Sequence, residues 1–428
     1  MELSALYQIF LECNTVTTDS RNCPKDSMFI ALKGDSFNGN AFATQAINDG
    51  CAYAIVDEAA HAVKGDKRYI LVDSCIETLQ QLANYHRRQL GTRIIGITGT
   101  NGKTTTKELI SAVLSQSYNI LYTQGNLNNH IGVPVTLLRL KAEHDLAVIE
   151  MGANHPGEIK SLAEIADYGI ITNVGKAHLE GFGSFEGVIK TKGELYDFLR
   201  KKEGAIIFIH HDNPYLMNIA SGLNQIPYGN DESLYVNGHV TGNYLTFEWK
   251  AGKNGENYEV ETQLIGEYNF PNALAAITIG RFFKVEPQKI NKALTEYAPQ
   301  NNRSQLKKTA ENTLIIDAYN ANPTSMMAAL ENFNKMTVAH KMLILGDMRE
   351  LGAESAAEHQ KIVDFIKACE FEKVIFVGNL FAAAEHSYQT YSNAQELIQA
   401  LQTDKPKDYT ILIKGSNGIK LSSVADYL

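Results

Sequence analysis

The sequence predicts an α/β protein built from three domains. Short apolar runs rich in β-branched residues alternate with longer amphipathic segments, which is typical of parallel α/β layers. The alternation runs in two long series, and a chain of 428 residues is too long for one ordinary core. We predict a small N-terminal α/β domain over residues 1–88, a central parallel-sheet domain over 89–299 and a C-terminal Rossmann-like α/β domain over 300–428.

The first of these domains is predicted to end with an amphipathic helix near Leu79–Leu90. In the central domain, strands are predicted at 92–98, 145–152, 168–175 and 205–213, with helices at Thr104–Leu114, from Pro156 onward and at Phe185–Leu199. The C-terminal domain carries strand-like runs at 313–320, 341–348, 373–379 and 409–416.

Between about residues 234 and 265 the apolar pattern changes to simple alternation. Turn signals occur there at Asn237-Gly238 and Asn254-Gly255. We interpret this segment as antiparallel strands appended to the central parallel sheet.

Composition excludes several classes of protein. The formal charge of −9 argues against nucleic-acid binding, which needs an excess of Lys and Arg. The five cysteines are scattered without metal-ligand spacing, which favours thiols in a reducing compartment. The N-terminus lacks a signal-peptide pattern, and the longest apolar runs are too short for a membrane span. We therefore expect a cytoplasmic protein without membrane insertion, and a monomer by default.

The segment GTNGKTTTKE, residues 99–108, predicts a phosphate-binding loop. It follows a buried strand and opens a helix, so that backbone N–H groups and the positive helix end converge on anionic oxygens. Lys103 adds a charge for the β- and γ-phosphates, and the Thr104 hydroxyl is placed to ligate Mg²⁺. Ile97 stands where the strict phosphate-loop pattern has its first glycine, so the alternative is a tight turn with an incidental lysine.

Polar residues follow two further strands of the central domain. Glu150 ends one strand, and His178 follows the next, near Asn173 and Glu180. Ligands of open α/β sheets bind beyond the carboxyl ends of strands, which favours a metal role for Glu150 and leaves His178 between a ligand and a structural role. Lys190 and Lys192 lie on the next helix, where spacing alone predicts only a solvated basic face.

The chain resembles the Mur ligases, the amide-forming ligases of peptidoglycan precursor synthesis. The resemblance covers essentially the whole chain and rests on GTNGKTTTKE, EMGANHPGEI, TNVGKAHLEGFGS and GEYNFPNALAA. The segments TTDSR, GNLNNHIGVP, DAYNANP and LGDMRELG resemble the member of the family that joins UDP-N-acetylmuramoyl-tripeptide to D-alanyl-D-alanine (D-Ala-D-Ala). The resemblance implies a UDP-substrate domain, a central ATPase domain and a C-terminal domain.

The resemblance also implies roles for individual residues. ATP would contact Gly99, Thr100, Asn101, Gly102, Lys103, Thr104, Thr105, Asn272, Arg303 and Asp317. The other substrates would contact Ser20, Arg21, Lys33, Gly34, Asn126, Asn128, Asn129, Asn320, Asn322 and Asp347. Mg²⁺, two ions by analogy, would bind Thr104, Glu150, His178 and Lys192 if that lysine carries a CO₂-derived carbamate. Lys103, Lys192, His178 and Arg303 would be catalytic.

Ordinary structural roles compete with some of these assignments. Asn272 has the position of a helix cap. Arg303 has the position of a surface charge on a hinge near Pro299–Arg303, and Asn320 and Asn322 have the positions of turn residues. The chain also departs from the family pattern: FNGN replaces FDGH at 37–40, Asn417 replaces an arginine, and Ser422 replaces an acid.

The expected reaction is attack of a substrate carboxylate on the γ-phosphate, followed by capture of the acyl phosphate by an amine. One alternative is another Mur-type amide ligase, of the diamino-acid-adding or the folate or cyanophycin type. A second is a regulatory NTPase with a phosphate loop, and a third is a nucleotide-binding module that has lost catalysis.

Overall fold

A computed structural model describes residues 2–34, 36–242, 244–300 and 302–428. The chain divides into two compact units. The first consists of the segments up to Gly96, Tyr118–Gly152 and Ser161–Asp167, and the second of Ile97–Ser117, Ala153–Lys160 and Tyr168–Leu428. The predicted boundaries at residues 88 and 299 stay predictions, and Asn301 of the predicted hinge lies outside the described residues.

The strands are numbered in chain order. They are β1 (Val16–Thr17), β2 (Met28–Ile30), β3 (Lys33–Gly34), β4 (Phe37–Asn38), β5 (Tyr53–Val56), β6 (Tyr69–Leu71), β7 (Arg93–Thr98), β8 (Ile120–Tyr122), β9 (Leu146–Glu150), β10 (Tyr168–Ile171), β11 (Ile206–His210), β12 (Asn224–Gly229), β13 (Val236–Gly242), β14 (Thr246–Lys250), β15 (Tyr258–Glu261), β16 (Gln305–Lys308), β17 (Thr313–Asp317), β18 (Lys341–Gly346), β19 (Lys373–Val377), β20 (Gln389–Tyr391) and β21 (Thr410–Lys414).

The α-helices follow the same numbering. They are α1 (Leu3–Leu11), α2 (Ala43–Asn48), α3 (Cys75–Leu90), α4 (Lys103–Leu114), α5 (Gly132–Leu137), α6 (Glu158–Ala163), α7 (Leu179–Phe182), α8 (Phe185–Leu199), α9 (Pro214–Ile219), α10 (Phe270–Phe282), α11 (Pro287–Glu296), α12 (Pro323–Lys335), α13 (Ser355–Lys367), α14 (Asn379–Ala382) and α15 (Ala394–Thr403).

The first unit contains a parallel sheet in the order β1-β2-β5-β6 and a short antiparallel hairpin of β3 and β4. Its long helix α3 begins where the Ser74 hydroxyl accepts a hydrogen bond from the N–H of Glu77, and ends at Gly91 with a φ of 67°. A second sheet of this unit runs β7-β9-β8, to which β7 contributes Arg93–Gly96. The first sheet is parallel throughout, β8 pairs with β9 in parallel, and every residue of β9 is buried.

In the second unit the sheet runs β15-β14-β13-β12-β11-β10-β7, and β7 contributes Ile97 and Thr98. Strands β10 to β13 pair in parallel, whereas β13, β14 and β15 pair antiparallel. The predicted antiparallel extension is therefore present. The turn predicted at Asn237-Gly238 is wrong, because both residues lie within β13 and pair with Lys250 and Trp249. The chain does turn at Asn254.

The C-terminal part of the second unit is a sheet in the order β16-β17-β21-β18-β19-β20. Alternate residues of β18 enter two separate apolar clusters: Leu343 and Leu345 pack on one face, Met342 and Ile344 on the other. Burial of both faces explains why the run is continuously apolar. The sequence analysis missed β16 and β20, which are short and polar; β16 pairs antiparallel with β17.

Within the described residues, the helices are each too short or too polar to cross a lipid bilayer.

The buried His359 predicts an acid-sensitive C-terminal sheet. Its Nδ1–H donates to the Ser355 carbonyl at 2.7 Å, and its Nε2 accepts from the Met348 N–H at 3.0 Å. Burial lowers the pKa of His359 below its ordinary value of 6.5. Since the unfolded chain then binds a proton more readily, stability is complete above about pH 6.5 and is lost as pH falls toward the folded-state pKa. We expect the urea concentration at the unfolding midpoint to decrease as the pH is lowered below 6.5. The decrease should be smaller in His359→Gln. The exposed His239→Gln should match the wild type, and an unchanged pH dependence in His359→Gln would contradict the prediction.

Candidate functional site

The predicted phosphate loop connects β7 to α4 and depends on two glycines. Gly99 and Gly102 have φ values of 142° and 76°, which side-chain-bearing residues rarely adopt. A β-carbon on Gly99 would lie 2.0 Å from Thr172 Oγ1, and one on Gly102 would lie 2.7 Å from Asn272 Oδ1. Both positions therefore require glycine for conformation and for space.

The end of β10 fixes the loop at Asn101. The Asn101 N–H donates to Asn173 Oδ1 at 3.0 Å, and the Asn101 carbonyl accepts from Asn173 Nδ2 at 3.0 Å and from Thr172 Oγ1 at 2.6 Å. The neighbouring Thr100 N–H donates to the Asn173 carbonyl at 2.9 Å. The loop is thus anchored by side chains and backbone of one strand end.

The Lys103 ammonium lies against the same loop. Its Nζ donates to the carbonyls of Gly99 at 2.8 Å and Thr100 at 3.0 Å. Thr104 is buried one residue further along the first turn of α4, and Thr105 follows it. The structure therefore brings a cation and a helix N-terminus together at a glycine-dependent turn, which is the arrangement that binds phosphate groups.

Lys192 is buried on α8 with only 2% of its surface exposed. Burial and, second, the positive charge of Lys103 lower the pKa of Lys192 to about 7. Its Nζ donates to the Ala153 carbonyl at 3.4 Å and lies 5.1 Å from the centre of the Phe182 ring. The expectation of a solvated face is therefore wrong for Lys192, whereas Lys190 is exposed.

His178 precedes α7 with a φ of 50° and pairs through Nδ1 with Glu350. Burial lowers the pKa of His178; Lys103 and Lys192 lower it further, and Glu350 opposes them. These electrostatic interactions show that His178, Lys103 and Lys192 occupy one neighbourhood of the second unit.

Asn272 lies within α10 rather than at its cap, which is Asn269. The Asn272 Oδ1 accepts from the Thr106 hydroxyl at 3.0 Å, and its Nδ2 donates to Asn269 Oδ1 at 3.0 Å. The helix-cap alternative is therefore wrong for Asn272. Its amide lies directly against the second glycine of the loop.

Arg303 stacks on Tyr319, with the guanidinium carbon 3.7 Å from the ring centre. The Arg303 Nε is buried and has no hydrogen-bond partner within the described part of the chain. The nearby Asp317 accepts from Lys414 Nζ at 2.5 Å, its cross-strand neighbour, and from the Ser304 N–H at 3.3 Å.

The asparagines predicted for the dipeptide have structural contacts. Asn322 caps α12 with a reciprocal capping box and donates from Nδ2 to Asn101 Oδ1 at 2.8 Å. Asn320 Oδ1 accepts from the Ala321 N–H at 2.9 Å. Turn and cap chemistry therefore accounts for both, and Asn322 also contacts the phosphate loop.

Asp347 has a similar capping role. Its carboxylate accepts from the N–H groups of Leu380 at 3.1 Å and Phe381 at 2.9 Å, at the start of α14.

In the first unit, the residues predicted for the UDP group include two cations. Lys33 pairs with Asp57 at 2.9 Å and Glu58 at 3.0 Å, and Gly34 lies beside it in β3. Arg21 is highly exposed and pairs with Asp19 at 2.9 Å, next to the buried Ser20.

The first departure from the family pattern, FNGN, has a structural explanation. Asn40 donates from Nδ2 to Asp57 Oδ1 at 2.8 Å and accepts from the Asp57 N–H at 3.0 Å. Asn38 donates to Glu58 Oε2 at 3.1 Å. The two asparagines therefore orient the carboxylates that pair with Lys33.

Glu150 ends β9 in the first unit with 1% of its surface exposed. The Asn128 Nδ2 donates to Glu150 Oε1 at 2.8 Å, so the predicted peptide-cleft residue orients the predicted metal ligand. Asn129 accepts from the Gly132 N–H at 2.8 Å, and Asn126 is exposed.

Comparison with known proteins connects these features to one family. Family models match the chain as Mur ligase family, catalytic domain, over residues 12–87, Mur ligase middle domain over 97–280, and Mur ligase, glutamate ligase domain, over 302–417. The UDP-N-acetylmuramoyl-tripeptide–D-alanyl-D-alanine ligase of Bacillus subtilis (strain 168) is 37% identical over 429 residues, covering 96% of this chain and 92% of that protein. The chain belongs to the Mur ligase family.

Solved structures extend the similarity to the fold. MurF from Acinetobacter baumannii is 29% identical with a TM-score of 0.87, over 99% of this chain and 98% of that one. MurF from Thermotoga maritima, solved in complex with ADP, has a TM-score of 0.85 at 24% identity, over 98% and 97% of the two chains. The predicted three-domain α/β fold is confirmed. As a Mur ligase, the chain is an ATP-dependent enzyme that forms amide bonds.

A Mur ligase uses Mg²⁺ with ATP, and the sequence predicts Thr104, His178 and Lys192 as its donors in the second unit. Among the residues that the structure describes, no three His, Cys, Asp or Glu side chains converge on one metal position. An ammonium repels a divalent cation, and Mg²⁺ prefers oxygen ligands. The donors therefore fit Mg²⁺ when Lys192 carries a carbamate.

The sequence analysis missed three side chains that contact the predicted site residues. Thr172 contacts the phosphate loop, Asn269 contacts Asn272, and Lys414 pairs with Asp317. Thr172 and Asn269 lie inside motifs on which the family resemblance rests, and Lys414 lies in the strand-like run 409–416, but neither signal shows which residues face one another. Thr172 directly precedes Asn173 at a strand end, which is the available signal.

We predict that Gly102→Ala weakens ATP binding by about tenfold or more, since each 1.4 kcal/mol lost is a factor of ten. The new methyl group would meet Asn272 Oδ1 and would also strain a positive φ. Isothermal titration calorimetry with ATP measures the effect. Gly204→Ala is the control, because Gly204 has a φ of 73° and open space around its β-carbon position. Equal affinities in Gly102→Ala and wild type would contradict the prediction.

Proposed function

We propose that this chain joins D-Ala-D-Ala to UDP-N-acetylmuramoyl-tripeptide with ATP, through an acyl phosphate. The observation that supports it most strongly is 37% identity, over 96% of the chain, to a ligase of that name. The glycine-dependent loop with Lys103 supports the use of ATP. We also propose a cytoplasmic monomer that does not bind nucleic acid, in keeping with the net charge of −9.

The phosphate loop has the central role in this proposal. Residues 99–105 bind the triphosphate through backbone N–H groups and through the Lys103 ammonium. On binding, this ammonium moves from the loop carbonyls to the β- and γ-phosphates. The same charge stabilises the phosphoryl group while the substrate carboxylate attacks it. This attack forms the acyl phosphate and releases ADP, as the bond between the β- and γ-phosphates breaks. The D-Ala-D-Ala amine then attacks the acyl carbon and gives up a proton, a C–N bond forms, the C–O bond to the phosphoryl group breaks, and phosphate leaves.

Lys192 is proposed to act as a carbamate. A neutral amine attacks CO₂ to give an N-carboxylate and releases one proton, and the pKa of about 7 leaves Lys192 substantially neutral at physiological pH. The product is an anion with two oxygen donors beside Lys103. Thr104, His178 and this carbamate would bind Mg²⁺ in the second unit. In the first unit, the same role is proposed for Glu150. Bound Mg²⁺, two ions by analogy, supplies charge neutralisation of the phosphates.

The remaining ATP contacts are proposed for Asn272 with adenine, Asp317 with ribose and Arg303 with the γ-phosphate. The orientation of Asp317 by Lys414 and Ser304 supports a defined ribose contact. The Arg303 guanidinium rests on the aromatic ring of Tyr319, which is compatible with its movement onto a phosphate.

Contacts with the other substrates are proposed for residues of both units. Ser20, Arg21, Lys33 and Gly34 would bind the UDP group, since Lys33 and Arg21 are surface cations suited to a diphosphate. Asn126, Asn128 and Asn129 would contact the muramoyl peptide. Asn320, Asn322 and Asp347 would contribute to D-Ala-D-Ala binding.

We predict phosphate release and amide product in equal amounts when the protein receives ATP, Mg²⁺, UDP-N-acetylmuramoyl-tripeptide and D-Ala-D-Ala. Lys103→Met should lower kcat by about a hundredfold or more, because it removes the charge at the phosphoryl group. Coupled phosphate detection and mass spectrometry measure both products. Lys190→Met is the control on an exposed lysine. Phosphate release that does not depend on the amine would favour a regulatory NTPase. Amide product formed only with a diamino acid or glutamate would favour another Mur-type ligase.

We predict a carbamate signal from Lys192 in ¹³C NMR of protein equilibrated with ¹³C-bicarbonate. The signal should be absent in Lys192→Gln and present in Lys190→Gln, because the exposed Lys190 amine is on the same helix but outside the buried site. A wild-type spectrum without a Lys192-dependent signal would contradict the carbamate.

A further inference from the structure

Two buried asparagine amides lie side by side at the start of α10. Asn269 and Asn272 have 3% and 6% of their surface exposed. Asn272 Nδ2 donates to Asn269 Oδ1 at 3.0 Å, and Asn269 Nδ2 donates to the Ile265 carbonyl at 2.9 Å and to Ser304 Oγ at 3.4 Å. On its other side, Asn272 Oδ1 accepts from the Thr106 hydroxyl at 3.0 Å.

The chemistry of these partners allows one orientation of both amides. A backbone carbonyl can only accept, so the atom of Asn269 that faces Ile265 must be its NH₂ group. Its oxygen therefore faces Asn272 and requires a donor there. The NH₂ group of Asn272 must then point to Asn269, and its oxygen to Thr106. The Thr106 hydroxyl can donate or accept, so it imposes no direction of its own.

We propose that Asn269 is a specificity-determining positioning residue, which selects the purine base of the nucleotide by fixing the rotation of the Asn272 amide. This inference rests on the proposed contact of Asn272 with adenine. Asn269 would not touch the base; it acts through Asn272.

The fixed rotation matters because an amide presents different groups at its two ends. After the bonds to Asn269 and Thr106, the Asn272 oxygen retains an acceptor site and its nitrogen retains a second N–H. Adenine offers an amino donor beside the N7 acceptor, and one amide can satisfy both. Hypoxanthine has a carbonyl in place of the amino group. In the assigned orientation, the Asn272 amide then loses one hydrogen bond, and its oxygen faces the carbonyl oxygen of hypoxanthine, which repels it. A freely turning amide would lose this discrimination.

Gly102 contributes to the same arrangement. The position of its absent β-carbon lies within 2.7–3.2 Å of three atoms of the Asn272 amide. The Asn272 amide therefore packs directly against the phosphate loop, and the proposed contact with the base lies beside the triphosphate site.

The test compares kcat/KM for ATP and for ITP in the full chain, with the other two substrates saturating. We expect the wild type to prefer ATP, and Asn269→Leu to lower the ATP-to-ITP ratio by about tenfold. Asn269→Asp is the matched variant, because burial favours its protonated form, which can donate to Ile265 and still accept from Asn272. It should keep the wild-type ratio. A change of stability alone would lower both rates together and leave the ratio unchanged.

A folded Asn269→Leu protein with the wild-type ratio would overturn the inference while leaving ATP-dependent ligation intact. A wild type that turns over neither nucleotide would contradict the proposed function instead. Neutron diffraction from the wild type provides a test without any variant: deuterium on the Asn272 atom that faces Asn269 supports the assigned rotation, and deuterium on the atom that faces Thr106 overturns it.

Discussion

The chemistry of this protein depends on one tight connection between a strand and a helix. The four residues from Gly99 to Gly102 redirect the chain so abruptly that a side chain at either end would collide with Thr172 or Asn272. The turn is stable because Asn101 shares five hydrogen bonds with these described neighbours: three with Thr172 and Asn173, and two with Asn322. Polar contacts of this kind are strong in a buried setting and costly to leave unmade. The phosphate site is thus formed by neighbours of the loop as much as by the loop itself.

Burial also changes the chemistry of charged groups around this connection. Lys192 is surrounded by protein and faces a second cation, which makes its neutral form accessible near pH 7. His178 is subject to the same burial but has Glu350 as a partner. Burial therefore lowers the pKa of both side chains, and the neighbouring carboxylate of Glu350 opposes that effect at His178.

Much of the fold could be predicted from the sequence because period and composition are local signals. The strands at β7, β9, β10 and β11 and the helix α8 lie where apolar runs and caps predict them. The turn at Asn237-Gly238 failed because Asn-Gly is a frequent turn pair, whereas pairing with Trp249 and Lys250 keeps it extended. The loop and Lys103 were also predictable, since their motif is contiguous. The roles of Asn269, Thr172 and Lys414 were not, because each depends on a partner brought close only by folding.

The amide pair between Asn101 and Asn322 joins residues 221 positions apart in the chain. Contacts of such long sequence separation form late, because a large loop must close before they contribute. On the ribosome, the N-terminal half of this chain emerges well before Asn322 is synthesised. During synthesis of each chain, the turn at Asn101 therefore exists for a time without Asn322, the last of its partners to be made. The nucleotide site is complete only when the C-terminal sheet has been made.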